Sequence, residues 1–277
     1  MSAAVFSLSR KLPSDYATLL WDTFFTQRGR GVEMAAHFPW TCTESESIGY
    51  GVLRVGDMLV GGATVRCQPA SCEPRLASLG LICIAPEFRG RGYSTELLQH
   101  MLQWLRGQGM ETATLWTAKP AVYAAVGFAT CDTGEFGWVV GLTAPHHALP
   151  TVLMRRWPDK REQTSKNRGM PPFAYYAQRI EFADESAFAI LVFDSTGPSI
   201  AEWSGTDTSV ADLLATSLPL RWRLNILAGD TLPRTLAGRG AHVNLDHLHL
   251  QMSKSFVDTA DHSQKTRQLA TRVLDRI

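Results

Sequence analysis
The sequence predicts an α/β protein of two domains, each a mixed, mostly antiparallel sheet flanked by helices. Three observations predict it. Short apolar runs with strand character alternate with segments of helical periodicity. A turn of two glycines and two arginines, Arg89-Gly90-Arg91-Gly92, joins one such run to one such segment. The second half of the chain repeats the element order of the first in weakened form. With 277 residues, 45% of them hydrophobic and 19% charged, the chain is long enough for two cores of ordinary size.

The elements follow in order. After Pro13, Ser14 offers an N-cap, and Leu19, Leu20, Phe24 and Phe25 recur at helical spacing, which predicts a helix. The run from Ile48 to Gln68 reads as two strands joined at Gly56-Asp57 in a hairpin. "RLASLGLICIAP" is apolar on both faces and belongs at the centre of a sheet. Beyond it, Leu97, Leu98, Met101, Leu102 and Leu105 form one helical stripe that stops at Gly107 or Gly109. "TATLWTA" is a strand, "AVYAAVGF" a short helix ending in Gly127, and "GEFGWVVGL" the closing strand of the first sheet.

In the second half, the segments from Phe173 to Asp194 and from Ser199 to Gly205 read as strands and "SVADLLATSL" as a helix. "RWRLNILA" is a strand, "TLPRTLAGRGA" a short glycine-ended helix, and "VNLDHLHLQM" a strand. Setting Gly127 against Gly240 superposes the two short helices and puts Leu236 at the position of Tyr123, as an internal duplication would. "SQKTRQLATRVLDRI" reads as a final helix. The resulting division is 1–145, a linker at 146–169 whose Arg155 to Arg168 stretch is polar and contains Pro158, and 170–277.

Composition excludes several classes. Net charge is +1, with 11 basic against 12 acidic residues up to residue 145 and 16 against 14 beyond it, so nucleic-acid binding lacks its electrostatic support. The same near-neutral balance argues against highly charged substrates. No apolar run approaches the ~18 residues that a membrane span needs, and the N-terminal segment lacks a secretory pattern; no membrane partner and a cytoplasmic location are expected. The five cysteines, Cys42, Cys67, Cys72, Cys83 and Cys131, are odd in number and lack C-x-x-C spacing, so neither a disulfide framework nor a zinc site is expected. His242, His247 and His249 with Asp246 read as a polar strand face rather than a metal centre.

The stretch Ile84-Ala85-Pro86-Glu87-Phe88-Arg89-Gly90-Arg91-Gly92-Tyr93-Ser94 places a glycine turn between a buried strand and an amphipathic helix. A helix N-terminus offers unpaired N–H groups and partial positive charge, glycines allow close backbone approach, and the arginines add charge-assisted contacts. This stretch resembles the pyrophosphate loop Q/R-x-x-G-x-G/A of the GNAT superfamily of acetyl-CoA-dependent N-acetyltransferases, with Ser94 in place of the last Gly or Ala. Tyr123, Gly127 and Phe128 resemble the family's second motif, Y-x-x-x-G-F, at the expected distance. The resemblance implies two GNAT-like domains in tandem, catalytic first and degenerate second. It further implies that the amides of Arg89, Gly90, Arg91, Gly92, Tyr93 and Ser94 bind the acetyl-CoA pyrophosphate, and that Ile82, Cys83 and Ile84 pair with the pantetheine arm.

The family reaction is direct acyl transfer to an amine, here most simply the primary amine of a small molecule, with acetyl-CoA as co-substrate and no metal. The alternative is a non-catalytic acyl-CoA-binding sensor or scaffold. By the resemblance, Tyr123 is the acid that protonates the departing thiolate, a role its pKa of ~10 suits. The family often places a carboxylate base on the central strand, and "LASLGLICI" contains none. Glu33 and His37 lie where the family contacts acceptors, and the terminal carboxylate of Ile277 is a further candidate. Glu87 reads as a surface residue and Cys83 as an inert buried thiol. Trp21, Phe24, Phe25, Phe38 and Trp40 read as core, with part of "AAHFPW" available to line an acceptor pocket.

Overall fold
The computed structural model describes residues 3–68, 72, 74–131, 134–160, 163, 168–257 and 274. The first half supplies β1 (Ala4–Ser9), α1 (Ser14–Phe24), α2 (Met34–His37), β2 (Ile48–Val55), β3 (Met58–Cys67), β4 (Leu76–Ile84), α3 (Tyr93–Gly107), β5 (Thr112–Trp116), α4 (Pro120–Ala124), β6 (Ala129–Thr130) and β7 (Gly134–Val140). The second supplies β8 (Val152–Arg156), β9 (Tyr176–Phe182), β10 (Ala187–Asp194), β11 (Gly197–Gly205), α5 (Asp207–Ser217), β12 (Arg221–Leu227), α6 (Leu232–Gly238), β13 (His242–His247) and β14 (Gln251–Ser255).

These strands form two seven-stranded mixed sheets, the predicted α/β architecture. Taken from corresponding edges, their orders are β1-β2-β3-β4-β5-β14-β6 and β8-β9-β10-β11-β12-β7-β13. The two orders match position by position, as a duplication requires. In each sheet the sixth place is filled by a strand from the other half.

That exchange corrects the sequence reading twice. Gly134–Val140 does not close the first sheet; it pairs antiparallel with β12 and β13 of the second. "VNLDHLHLQM" is not one strand: it breaks near His249, which has φ 49°, into β13 in the second sheet and β14 in the first, where β14 pairs with β5 and β6. The side chains of β7 explain its berth. Trp138 faces Arg223 across the β7–β12 ladder, and the Arg221 guanidinium lies 3.8 Å from the Trp138 ring centre. On its other edge a Cβ at Gly137 would stand 2.0 Å from the Asn244 carbonyl oxygen, so the β7–β13 pairing needs a glycine there.

Other differences are local. β1 adds a strand that the sequence reading lacks, with burial alternating along "AVFSLS" before the strand end. Ser14 is the first helical residue of α1 and Pro13 occupies the N-cap, without a side-chain cap. Residues 152–156, inside the expected linker, form β8 on the edge of the second sheet. The final helix at 263–277 lies outside the described residues, apart from Leu274. Among the described residues no helix is long and apolar enough to cross a membrane.

The first sheet is covered on both faces, which is why β4 is apolar on both. The α3 stripe Leu97, Leu98, Met101, Leu102 and Leu105 packs on one face with Leu79 and Leu115. Tyr16 and Leu20 of α1, followed by Phe25, Phe38 and Trp40, cover the other face against Tyr50, Val52, Leu81 and Cys83. Each buried aliphatic side chain contributes about 1.5–3 kcal/mol. The uncovered face of the second sheet meets the first half: Ala36 of α2 packs among Ile190, Val192 and Ala201, and Met170 N–H donates to the Ala36 carbonyl at 2.9 Å.

Candidate active site
The site begins with a defect in β4. Against β3, Gly62 faces Cys83 and Thr64 faces Gly80, so Leu81 and Ile82 together oppose Ala63. This is a β-bulge, and Leu81 takes φ 52°, an unusual conformation for a residue with a branched side chain. The bulge switches the strand's faces. Before it, Ala77 and Leu79 point to α3; after it, Ile82 and Ile84 do, while Leu81 and Cys83 turn towards α1. The fully buried Tyr16 holds the bulge, its hydroxyl donating to the Leu81 carbonyl at 2.7 Å and lying 3.2 Å from Thr64 Oγ1. Burial pushes that hydroxyl well above its ordinary pKa, so it remains a donor.

Bending at the bulge separates β4 from β5. Their parallel pairing covers three residues, Leu76 to Ser78 against Thr112 to Thr114. Past Ser78 the β5-facing edge of β4 has no strand partner among the described residues, and the gap opens into a cavity of about 730 Å³. Ile82, Cys83 and Ile84 form one wall, Trp116, Thr117 and Tyr123 the opposite one, and Pro172 and Phe173 of the second half close part of it. Arg89 reaches it too, its Nε–H donating to the Ile84 carbonyl at 3.0 Å.

The glycine turn continues from Arg89. Gly90 has φ 74° and Gly92, the N-cap of α3, has φ 84°; a Cβ on either would meet no atom within 4 Å. Both glycines therefore border open space. The first intrahelical bonds of α3 are donated by Thr95 and Glu96 to the Gly92 carbonyl, which leaves the amides of Tyr93 and Ser94 ahead of the ladder. Arg91 lies over the Phe88 ring, and the Tyr93 ring meets Phe88 edge-on at 6.0 Å. These residues fit a pyrophosphate: free amides at a helix start, a cradle that any Cβ would fill, and two exposed guanidinium groups.

Tyr123 sits in α4, half-buried in the cavity wall. Burial raises its hydroxyl above the usual phenol value, opposed by the Thr117 side chain, so it is protonated at neutral pH. Cys83 is buried and its thiol is pushed up to about 12, chiefly by desolvation, which makes it the inert thiol expected from sequence.

Other candidates fall away from the cavity. His37 is buried and both ring nitrogens are engaged: Nδ1 donates to the Met170 carbonyl at 3.2 Å, and Nε2 accepts from Val32 N–H at 3.2 Å. Burial holds its pKa below the ordinary value. It joins the two halves and does not line the cavity. Glu33 is exposed at the N-cap of α2, Glu87 is exposed ahead of the glycine turn, and Phe38 and Trp40 are core; none of them lines the cavity. Ile277 lies outside the described residues.

Sequence reasoning missed Arg28 and Arg30, which line the cavity from the segment after α1. The signal was present: Arg28-Gly29-Arg30-Gly31 repeats the Arg89-Gly90-Arg91-Gly92 pattern, and Gly29 (φ 59°) and Gly31 (φ 105°) are also left-handed. Among the described residues no Asp, Glu or His lines this cavity. His242, His247 and His249 form no metal-holding group, and no such group occurs among the described residues.

The second half keeps the scaffold without the cradle. β11 and β12 pair in parallel at two positions, Ser199 with Arg223 and Ile200 with Leu224. After α6, Arg239 and Ala241 N–H donate to Leu236, and Gly240 N–H to Ala237. After α4, Val126 and Phe128 N–H donate to Tyr123, and Gly127 N–H to Ala124. The identical pattern makes Leu236 the counterpart of Tyr123. At the start of α5 one orphan amide is already served: Thr206 Oγ1 accepts from Ser209 N–H at 3.1 Å, and Asp207 places a carboxylate beside the helix N-terminus.

Residues 14–132 match the model of the acetyltransferase (GNAT) family. A search of curated proteins finds no match for the chain. Among solved structures, a "Probable N-Acyltransferase" from Enterococcus faecalis aligns with a TM-score of 0.62 at 12% identity, over 91% of this chain and 73% of that one. Eis1 from Mycobacterium abscessus aligns with a TM-score of 0.57 at 17% identity, over 91% and 73%. A tandem GNAT protein from the clavulanic acid biosynthesis pathway aligns with a TM-score of 0.56 at 12% identity, over 93% of this chain and 100% of that one. At these identities the likeness is one of fold.

Proposed function
We propose that this chain, whose residues 14–132 match the GNAT family model and whose second half repeats the strand order of the first, is a tandem acetyltransferase of that family and transfers an acetyl group from acetyl-CoA directly to the primary amine of a small molecule. One observation carries the reading: Arg89, the first residue of the glycine turn before α3, lines the wedge where β4 leaves β5, and Ile82 to Ile84 and Tyr123 line the same cavity. The Arg89 amide already donates to the Pro86 carbonyl, so the amides from Gly90 to Ser94 hold the pyrophosphate, and the β4 edge at Ile82 to Ile84, which has no strand partner on its β5 side among the described residues, lies along the pantetheine arm. Tyr123, kept protonated by burial, gives its proton to the leaving thiolate.

The acceptor amine must lose its proton before attack. The cavity supplies no carboxylate or imidazole for this among its described residues, but it carries Arg28, Arg30, Arg89 and Lys119. Positive neighbours disfavour the ammonium form and lower an amine's pKa, so a free amine forms in this cavity without a dedicated base and its proton leaves through water. The missing carboxylate is also what favours the other reading, a non-catalytic acyl-CoA sensor or scaffold. Thiol release from acetyl-CoA in the presence of a library of primary amines separates the two: transfer requires amine-dependent release and an acetylated product by mass spectrometry. Tight CoA binding with no release from any amine would favour the sensor.

A further inference from the structure
We propose that Arg28 and Arg30 form an anion subsite for the acceptor, so that the amine acetylated by this protein also carries a carboxylate or a phosphate. This rests on the acyl-transfer reading above. The two faces of the first sheet separate the roles of the two Arg-Gly-Arg-Gly segments. The glycine turn from Arg89 to Gly92 leads into α3, which covers one face. Arg28 and Arg30 follow α1, which covers the other face against Leu81 and Cys83 of β4. The wedge between β4 and β5 connects the two, so a co-substrate whose pyrophosphate is held at α3 presents its acyl end towards the α1 side, where these two arginines lie.

Neither arginine is neutralised there. Among the described residues neither has a carboxylate within ion-pair distance. Arg28 lies over the Phe24 ring at 5.8 Å, and Arg30 Nε–H donates to the Phe24 carbonyl at 3.4 Å, contacts that leave guanidinium N–H groups to spare. Asp194 of β10 is the carboxylate whose field reaches Arg30, but its Oδ1 accepts from Arg223 Nη2 at 2.7 Å and from Thr196. Burial and the neighbouring Arg28 lower the pKa of Arg30, the sign of a cation pair lacking a counter-ion. Two forked donors on the acceptor side of a cavity without acidic lining select an anion on the acceptor itself.

The test uses the full chain loaded with CoA, and two probe pairs that differ in the anion: phenylalanine against phenylalaninamide, and O-phosphoethanolamine against ethanolamine. Binding by calorimetry and acetyl transfer from acetyl-CoA are measured for wild type and for the Arg28→Gln/Arg30→Gln double variant. At least one anionic probe should bind about tenfold or more tightly than its neutral partner, and the double variant should lose that preference while keeping its affinity for CoA. Which pair shows the preference distinguishes carboxylate from phosphate. Equal binding within both pairs, no binding by any probe, or a preference that survives the double substitution would overturn the anion subsite. An anion preference that depends on the arginines with no transfer from any bound probe would support the subsite and count against the acyl-transfer reading instead.

Discussion

Replacing Gly92 by glutamate tests the cradle at the N-cap of α3. Gly92 has φ 84°, and a Cβ there meets no protein atom within 4 Å, so the substitution strains the backbone without colliding with the fold. A side chain in the left-handed region costs about 1–3 kcal/mol, a fall of roughly 2–4 °C in Tm for each kcal/mol in a protein of this size. Ligand binding loses far more. If the turn contributes two charged hydrogen bonds to the pyrophosphate, losing them costs ~3–6 kcal/mol, or about 10²–10⁴ in affinity, and the new carboxylate repels the phosphates as well. Gly141→Glu is the control: Gly141 has φ 79°, also faces open space, and follows β7 rather than β4. Both variants should lose similar thermal stability, while Gly92→Glu alone should weaken CoA binding by at least a hundredfold in calorimetry. Folded Gly92→Glu protein that binds CoA as tightly as Gly141→Glu would refute the cradle.

Further expectations follow from the same geometry. Tyr123→Phe should slow turnover by ~10²–10⁴ with acetyl-CoA affinity unchanged, and wild-type turnover under chemistry-limited conditions would move the acid role elsewhere. Calorimetry should find one CoA site per chain, because Asp207 and the capped start of α5 stand where the first half has its open cradle; two sites would contradict this. His37 is held neutral, below its usual pKa, so the unfolded chain takes up a proton as pH falls below about 6.5 while the folded chain resists it. Stability is then full above that pH and declines on acidification by up to about 1.4 kcal/mol per pH unit. Denaturation from pH 7 to 5 should show a shallower decline in His37→Gln, and parallel curves would exclude the linkage. Tyr16→Phe leaves the bulge carbonyl of Leu81 without its 2.7 Å donor and should cost about 1–3 kcal/mol in denaturant unfolding; a change within error would mean that water replaces the hydroxyl.

The parts legible in the sequence are those set by neighbours along the chain. The stripe from Leu97 to Leu105, the glycine turn ahead of it and the glycine-ended helix at Gly127 depend on local periodicity and backbone permission, and all three stand where local reasoning puts them. The matched ends of α4 and α6 likewise follow from short-range hydrogen bonds, which is why aligning Gly127 with Gly240 was enough to equate Tyr123 with Leu236.

Strand exchange is a different kind of fact. The backbone donors and acceptors of β7 are the same whichever strand they meet, so nothing in "GEFGWVV" read alone names its partner; Gly137 and Trp138 acquire meaning once Asn244, Arg221 and Arg223 are beside them. The same holds for the bulge at Leu81, which Tyr16 stabilises from 65 residues away and which turns an apolar strand into the wall of a wedge. Charge followed the same rule: a chain with net charge +1 places four cations on one cavity, because composition sums over the whole surface while the fold decides which charges converge. The sequence by itself determined α1, α3, the glycine turn ahead of α3 and the duplicated order, since those depend on residues a few positions apart. Strand partnership, the opened wedge and the field inside it depend on residues brought together from both halves, and only the tertiary structure decided them.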